Sequence, residues 1–333
     1  MKKLINDPNN VVQEMLEGFA AAHSGHVRLL GDLNVVVRRD GPVNGKVGLV
    51  SGGGSGHEPA HAGYVGAGML DAACAGDVFA SPSVGQILAA IKHVDSGSGV
   101  LLIIKNYTGD VLNFELAMDL ARENEGVSVD KVIVSDDVSV DPSARTAGRR
   151  GIAGTIFIHK IAGARAEAGG TLHDVKASAE TALKNLRSMG MALSPCTVPA
   201  TGKPTFTLPE DEMEIGMGIH GEPGIKRTKI MGADQVAEAL LSNITADMPL
   251  REGDEVALMT NGLGATPVME LYIMHRAASA LLKDMGVAIC AGYVGEYMTS
   301  LEMSGCSLTV LRLDDGLKSL LFAPSRTPAF VQI

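Results

Sequence analysis

The sequence predicts a two-domain α/β protein, in which an N-terminal, largely parallel sheet flanked by helices is followed by a smaller mixed α+β domain. From about residue 46, short apolar runs alternate with stretches of helical periodicity, which is the rhythm of βαβ units. The 333 residues exceed one typical core, since a domain averages about 150 residues. Four prolines and Gly202 between residues 195 and 209 indicate a connection. We therefore expect domains at 1–190 and 191–333.

The predicted N-terminal sheet consists of apolar strands that each run into a polar loop. The strands cover residues 47–50, 99–104 and 131–134, and the loops begin at residues 51, 105 and 135. Because the carboxyl ends of parallel strands share one edge of a sheet, these loops are expected to meet where open α/β sheets bind ligands. Helical periodicity predicts the helices of this domain at 112–124, 152–168 and 172–189.

The C-terminal domain is predicted from a mixture of helical and strand patterns. Helices are expected at 232–243 and 266–285. Strands are expected at 255–262, 287–294 and 306–313. No internal repeat accompanies them, so this domain is expected to be a mixed α and β unit.

Composition excludes several classes of function. A net charge of −10 and a pI near 5.4 argue against nucleic-acid binding, which needs a dense basic surface. No apolar run is long enough to span a bilayer, so we expect a cytoplasmic protein without membrane contact. The four cysteines form no CxxC pair, and no His, Asp and Glu cluster has metal-ligand spacing.

The densest signal for chemistry is the segment Ser51–Pro59, with the sequence SGGGSGHEP. Glycines let a backbone approach a ligand closely and turn its amides toward it. The segment lacks both the Lys-Ser/Thr of a Walker A loop and the GxGxxG spacing of a dinucleotide site. It is therefore either a ligand loop, with His57 within reach of the ligand, or a tight turn without one.

Asp110 ends the loop KNYTGD on the same predicted sheet edge, where it could act as an acid or base together with His57. Capping of the following helix is an alternative role for Asp110, and the two roles are compatible. Lys105 could orient a hydroxyl or phosphate group, or be solvated. Ser81 lies near a helix start, where capping by Ser81 or Ser83 is the ordinary explanation.

His220 lies in GMGIHGEPG, where a short strand meets a Gly-Pro turn, so its ring is expected on a strand edge. The surrounding glycines indicate close backbone packing, which is compatible with a functional or a structural histidine. Residues 260–267, TNGLGATP, favour a turn over an anion site. The arginines Arg145, Arg149 and Arg150 favour internal ion pairs.

Taken together, several segments resemble the substrate-binding subunit of the dihydroxyacetone kinase family. The resemblance runs in order from about residue 1 to 325 and is carried by segments that include SGGGSGHEPAHAGYVGAG, IIKNYTGDVLNFELA, GRRGIAGT, MGIHGEPG, MTNGLGATP and GEYMTSLEMSGCSLTVL. It implies that His220 adds to the substrate carbonyl as a covalent hemiaminal.

The same resemblance implies roles for residues near the glycine segment. His57 and Asp110 would act on the hydroxyl that receives the phosphoryl group. Substrate contacts would come from Gly54, Ser55, Gly56, Ser81 and Lys105.

The resemblance also implies partners. Family members that use ATP directly carry a helical nucleotide-binding domain on the same chain, and this sequence does not include one. We therefore expect no cofactor on this chain, with ADP or ATP and Mg²⁺ on a separate kinase subunit. A phosphotransferase-system protein would rephosphorylate that subunit from phosphoenolpyruvate, and the family suggests a homodimer. An alternative is a non-catalytic relative that senses dihydroxyacetone for a transcription regulator.

Overall fold

The computed structural model describes residues 2–140 and 148–333, which group into two compact units. The first unit contains the chain up to Val134, Ile156–Ala182 and Leu317–Ile333. The second contains Ser135–Thr155 and Leu183–Gly316. The sequence predicted one boundary at residue 190. In the structure the chain instead crosses from one unit to the other four times.

The described residues form helices and strands whose bounds are as follows. The helices are α1 (Val11–Ala22), α2 (Val84–Val94), α3 (Thr108–Glu125), α4 (Thr155–Glu167), α5 (Leu172–Lys184), α6 (Ala233–Asp247), α7 (Val268–Asp284) and α8 (Asp315–Phe322). The strands are β1 (Val27–Leu29), β2 (Val35–Arg38), β3 (Gly48–Ser55), β4 (Ala72–Val78), β5 (Val100–Lys105), β6 (Val129–Val134), β7 (Leu186–Ala192), β8 (Thr197–Val198), β9 (Lys203–Pro204), β10 (Glu212–Ile215), β11 (Lys226–Lys229), β12 (Glu255–Gly262), β13 (Ala288–Gly295), β14 (Gly305–Leu313), β15 (Ser325–Arg326) and β16 (Val331–Gln332).

The sheet of the first unit has the strand order β1-β2-β4-β3-β5-β6. Strands β4, β3, β5 and β6 are parallel, whereas β1 and β2 add an antiparallel edge. One face is buried against α2 and α3, where Val50, Leu102 and Ile104 pack with Ile87 and Phe114. Because side chains alternate along a strand, Ser51, Gly53 and Lys105 belong to the opposite face. The predicted α/β class and the largely parallel sheet are confirmed.

The sequence predicted a loop or a tight turn from residue 51. The structure differs, because β3 continues through the glycines to Ser55. Gly52 pairs with Cys74 of β4, and a Cβ atom at Gly52 would lie 2.4 Å from the Cys74 carbonyl oxygen. At Gly54 a Cβ atom would lie 2.6 Å from the Ala80 nitrogen. Gly52 therefore lets β3 pack closely on β4, and Gly54 lets it pack closely on residues 79–80.

The sheet of the second unit has the strand order β11-β10-β7-β14-β12-β13 and is antiparallel except for the β12–β13 pair. Its core forms between this sheet and helices α6 and α7, with Leu240, Ile244, Leu271, Leu258 and Leu308 fully buried. This is the mixed unit that the sequence predicted. The proline-rich segment 195–209 lies inside it and contains the short β8–β9 pair, so it is not a junction between units.

One helix is shorter than its periodicity predicted. Helix α5 ends at Lys184, and residues from Leu186 onward form β7 between β10 and β14. Hydrogen bonds to two strands from distant parts of the sequence outweigh the local helical pattern here. Among residues 2–140 and 148–333, no helix combines the length and the apolar character needed to cross a membrane.

Candidate functional site

In the first unit, Gly53 lies where Lys105 and Asp110 come together. A Cβ atom at Gly53 would lie 3.0 Å from Lys105 Nζ and 3.3 Å from Asp110 Oδ2. Both side chains are buried. The absent side chain at residue 53 thus makes room for an ammonium and a carboxyl group beside the strand backbone.

Lys105 is the last residue of β5, and its side chain is fully buried. Its Nζ lies 5.4 Å from the centre of the Tyr107 ring, a distance at which the ring face attracts a cation. A buried ammonium at the end of a parallel strand is placed to orient an anionic or hydroxyl-bearing ligand.

Asp110 is the third residue of α3 and not its N-cap residue. The N-cap position belongs to Tyr107, whose side chain makes no capping hydrogen bond. The capping role that the sequence left open for Asp110 therefore does not apply at the N-cap itself. A carboxyl group in the first turn still benefits from the positive end of the helix dipole.

His57 follows the end of β3 and is completely buried. Its ring stacks on that of Phe79, with 5.0 Å between the ring centres and 21° between the planes. Phe79 has a φ of 60°, unusual for a residue with a side chain, and its N–H donates to the Ser55 carbonyl. The stack therefore orients His57 against the same backbone that carries Gly54 and Ser55.

Ser55, Gly56 and Glu58 make hydrogen bonds that hold this end of β3. The Ser55 hydroxyl donates to the Gly76 carbonyl at 2.7 Å. The Gly56 N–H points to both carboxyl oxygens of Glu58 at 3.1 Å. Burial raises the pKa of Glu58, and the bond from Gly56 opposes that shift. The Ser55 hydroxyl and the Gly56 N–H thus hold the local backbone.

Ser83, not Ser81, caps α2. The Ser83 hydroxyl accepts from the N–H of Gln86, whose side chain in turn accepts from the N–H of Ser83. Ser81 lies beside α3, where Asn113 Nδ2 is 3.4 Å from its hydroxyl. This places Ser81 near the helix that carries Asp110.

Two buried histidines, His61 and His159, lie close to Lys105, and the sequence predicted no chemical role for them. His61 Nδ1 is 3.0 Å from His159 Nε2 and 3.4 Å from the Ser51 hydroxyl. Burial first, and then the charge of Lys105, lowers the pKa of His159 to about 3 and that of His61 well below its usual value. Both rings are therefore neutral near pH 7. A histidine within the apolar run TIFIHKIA was the available signal for His159.

An open space adjoins the end of β3 in the first unit. The cavity has a volume of about 420 Å³ and is bounded in part by Gly53, Ser55, His61, Ala73 and Phe19. Its walls on the sheet carry no side chain larger than those of serine and cysteine, which leaves the space beneath α1 unfilled. The volume is in the range that accommodates a small metabolite.

In the second unit, His220 lies in a turn after β10, at the start of the sequence HGEPG, and not on a strand edge as predicted. Its Nδ1 is 2.9 Å from Glu222 Oε1, and its backbone N–H donates to Glu222 Oε2 at 2.9 Å. Burial alone would raise the pKa of Glu222, but the hydrogen bond and charge of His220 lower it to about 2. Glu222 is therefore ionised at neutral pH.

The ionised Glu222 decides which nitrogen of His220 carries the proton. A carboxylate only accepts hydrogen bonds, so Nδ1 donates, and in the neutral ring Nε2 keeps its lone pair. His220 is thus arranged with Nδ1–H directed to the Glu222 carboxylate, so that the lone pair of the neutral ring lies on Nε2. The sequence motif predicted a role for His220 but not for Glu222, which stands two residues away in the same motif.

The segment TNGLGATP contains the last three residues of β12 and the connection to α7. A Cβ atom at Gly264 would lie 1.8 Å from the Leu301 carbonyl oxygen, and one at Gly262 would lie 2.4 Å from Glu296 Oε1. The two glycines therefore accommodate neighbouring groups of the second unit. In the described ranges 2–140 and 148–333, no group of three or more His, Cys, Asp or Glu residues is arranged to hold a metal ion.

Comparison with known proteins places these residues in a family context. Residues 17–329 match the Dak1 domain. The chain is 52% identical over 315 residues, 95% of each chain, to the PTS-dependent dihydroxyacetone kinase 1, dihydroxyacetone-binding subunit DhaK, of Listeria innocua.

Two solved structures are similar over nearly the whole chain. The dihydroxyacetone kinase operon co-activator Dha-DhaQ is 37% identical with a TM-score of 0.90, covering 96% of this chain and 98% of that one. The dihydroxyacetone kinase of C. freundii is 38% identical with a TM-score of 0.87, and the match covers 99% of this chain but 60% of that one.

Proposed function

The chain belongs to the Dak1 domain family, and from this premise we propose that it is the dihydroxyacetone-binding subunit of a dihydroxyacetone kinase. It binds dihydroxyacetone as a hemiaminal on His220 and presents a substrate hydroxyl for phosphorylation to dihydroxyacetone phosphate. The observation that carries the proposal is the His220–Glu222 pair, which directs Nδ1–H to a carboxylate and so places the lone pair of the neutral ring on Nε2.

In the covalent step, the Nε2 lone pair attacks the C2 carbonyl carbon and forms a C–N bond. The electrons of the carbonyl π bond move to its oxygen, which takes up a proton. The positive charge that develops on the imidazole is stabilised by Glu222, because Nδ1–H already donates to that carboxylate. The product is a tetrahedral hemiaminal that keeps both substrate hydroxyl groups.

In the phosphoryl-transfer step, a substrate hydroxyl attacks the terminal phosphorus of ATP bound to another subunit, and the bond from that phosphorus to the ADP leaving group breaks. Asp110 receives the hydroxyl proton in this proposal, and His57 assists by hydrogen bonding to the same oxygen. The close approach of Lys105 and Asp110 at Gly53 supports the assignment, since it brings both side chains to the backbone that is continuous with Gly54, Ser55 and Gly56. Gly54, Ser55, Gly56 and Ser81 contribute substrate contacts.

The phosphoryl donor is proposed to be a kinase subunit that carries ADP or ATP with Mg²⁺. A phosphotransferase-system protein recharges it from phosphoenolpyruvate, in keeping with the name of the Listeria relative. The proposal includes a cytoplasmic homodimer. A dihydroxyacetone-sensing co-activator is the alternative, and the identity of 52% to a kinase subunit against 37% to the co-activator supports the enzyme.

A crystal soaked with dihydroxyacetone tests the covalent assignment. We expect continuous electron density between His220 Nε2 and C2 of the substrate, with tetrahedral geometry at C2. Glycerol supplies hydroxyl groups but no carbonyl, so calorimetry should show much weaker binding of glycerol. A planar, unattached ketone beside His220, or equal affinity for glycerol, would contradict the proposal.

A further inference from the structure

The adjacent arginines Arg149 and Arg150 are both largely buried but have different partners. Arg149 forms an ion pair with Asp247, which also pairs with Arg187. Arg150 forms an ion pair with Asp137, whose side chain is 1% exposed. These contacts agree with the expectation of internal ion pairs, while Arg145 lies outside the described residues. The two neighbours therefore support different parts of the second unit.

Several hydrogen bonds fix the orientation of the Arg150 guanidinium. Its Nε donates to Asp137 Oδ2 at 2.7 Å, and its Nη2 lies 2.5 Å from the Ser139 hydroxyl oxygen. The Ser139 hydroxyl and N–H both donate to Asp137 Oδ1, which fixes the carboxylate as well. A guanidinium fixed on one side in this way can offer its remaining N–H groups in a defined direction.

Those remaining groups face the turn that carries His220. Arg150 Nη2 donates to the Gly216 carbonyl at 2.8 Å, where the turn leaves β10. A Cβ atom at Gly218 would lie 2.5 Å from Arg150 Nη1 and 2.2 Å from Glu222 Oε2. Because Gly218 has no side chain, the Arg150 guanidinium and the Glu222 carboxylate can both lie close to its backbone.

We propose that Arg150 is a positioning residue for His220, acting through Gly216 and Gly218 to keep the turn in the form in which Glu222 holds the imidazole. The inference rests on the proposed function, because it concerns how the nucleophilic nitrogen is presented. Backbone bonds across the turn, from Gly218 N–H to Glu222 O and from Gly221 N–H to Gly218 O, are both 3.1 Å long. Arg150 anchors the base of the turn to the buried Asp137.

The test compares Arg150→Met with the matched control Arg149→Met. The two side chains are 10% and 14% exposed, and each forms an ion pair with an aspartate. Arg150→Met should lose more stability, because Asp247 keeps Arg187 whereas Asp137 is buried, so binding and tautomer are compared in variants shown to be folded. Three quantities are measured: the melting temperature, the affinity for dihydroxyacetone by calorimetry, and the protonated ring nitrogen of His220 by ¹⁵N NMR without substrate.

We expect Arg150→Met to bind dihydroxyacetone at least about tenfold more weakly, the loss typical of a buried hydrogen bond to a charged group. The His220 ring should also become a mixture of the two tautomers. Arg149→Met should keep its affinity within about twofold, with Nδ1 protonated as in the wild type. Wild-type affinity and tautomer in a folded Arg150→Met protein would overturn the inference.

Should Arg150→Met fail to fold, Arg150→Lys decides the question. Lysine keeps the positive charge beside Asp137, but one ammonium cannot reproduce the planar set of bonds to Asp137, Ser139 and Gly216. We expect near-normal melting with weakened binding, and unchanged binding would overturn the inference. Failure of the proposed function is distinguishable, because the wild-type protein itself would then form no hemiaminal.

Discussion

Asp110 and His57 are the residues on which the proton chemistry of the proposed reaction depends. Both are buried near the end of β3, and Asp110 lies in the first turn of α3 close to Lys105. A buried acid beside a buried ammonium could serve stability or catalysis. The two roles predict different behaviour when the carboxyl group is replaced by an amide of the same shape.

We predict that Asp110→Asn keeps dihydroxyacetone affinity but loses partner-dependent phosphorylation by roughly 10² to 10⁴-fold, because the amide cannot accept the hydroxyl proton. His57→Ala should also slow phosphorylation, since it removes the ring that stacks on Phe79. The measurements are substrate affinity, melting temperature and the phosphorylation rate with the cognate partner subunits.

Asp174→Asn is the control for the helix effect, because Asp174 is likewise the third residue of its helix, α5, and bonds to the N–H of Thr171. Its substitution should alter melting without altering the rate. Near-normal rates in both Asp110→Asn and His57→Ala would refute the catalytic assignment. Full binding by a wild type that no cognate partner can phosphorylate would favour the sensor.

At the scale of elements, β3 shows how a glycine run becomes a strand. A backbone without side chains can approach β4 and residues 79–80 more closely than any other sequence allows. At Gly52 an added Cβ atom would meet the Cys74 carbonyl oxygen at 2.4 Å and the Cys74 Cβ atom at 3.0 Å. Because these contacts are with backbone and with Cβ, no flexible side chain can move away to relieve them.

Gly52→Ala is therefore predicted to destabilise the protein by about 1–3 kcal/mol, the usual range for overpacking. Gly85→Ala is the matched control, since Gly85 lies in the first turn of α2 and an added Cβ atom has no neighbour within 4 Å. That change should be neutral or stabilising, because alanine favours helix over glycine. Denaturant unfolding of both variants measures the difference, and equal stability would contradict the packing argument.

At the scale of the whole molecule, the match to the kinase of C. freundii covers 60% of that protein. The proposed function assigns the nucleotide to a separate subunit, so catalysis should require a second protein. We predict that the purified 333-residue chain forms no dihydroxyacetone phosphate from dihydroxyacetone, ATP and Mg²⁺. Addition of the ADP-carrying subunit and a phosphorylated phosphotransferase-system donor should start the reaction. Turnover by the chain alone that survives repeated purification would disprove the division between subunits.

Local patterns in the sequence determined much of the architecture and the candidate residues. The alternation of apolar and helical stretches predicted β5, α3 and β6, and β12 occupies residues 255–262 as expected. The motifs around His57, Asp110 and His220 identified the family, which the match over residues 17–329 bears out. These features are local because strand and helix periodicity, and the glycines that flank a reactive residue, lie within a few residues of one another.

Tertiary structure decided the features that depend on partners distant in sequence. β3 extends through its glycines because β4 lies against it, and Leu186–Ala192 is a strand because β10 and β14 flank it. The His61–His159 contact spans 98 residues, and the Arg150 contact with Gly216 spans 66. Such contacts are formed by folding, so residue spacing does not reveal them. The Glu222 bond to His220 is local in sequence, yet it depends on the conformation of the turn, which the packing around Arg150 and Gly218 sets.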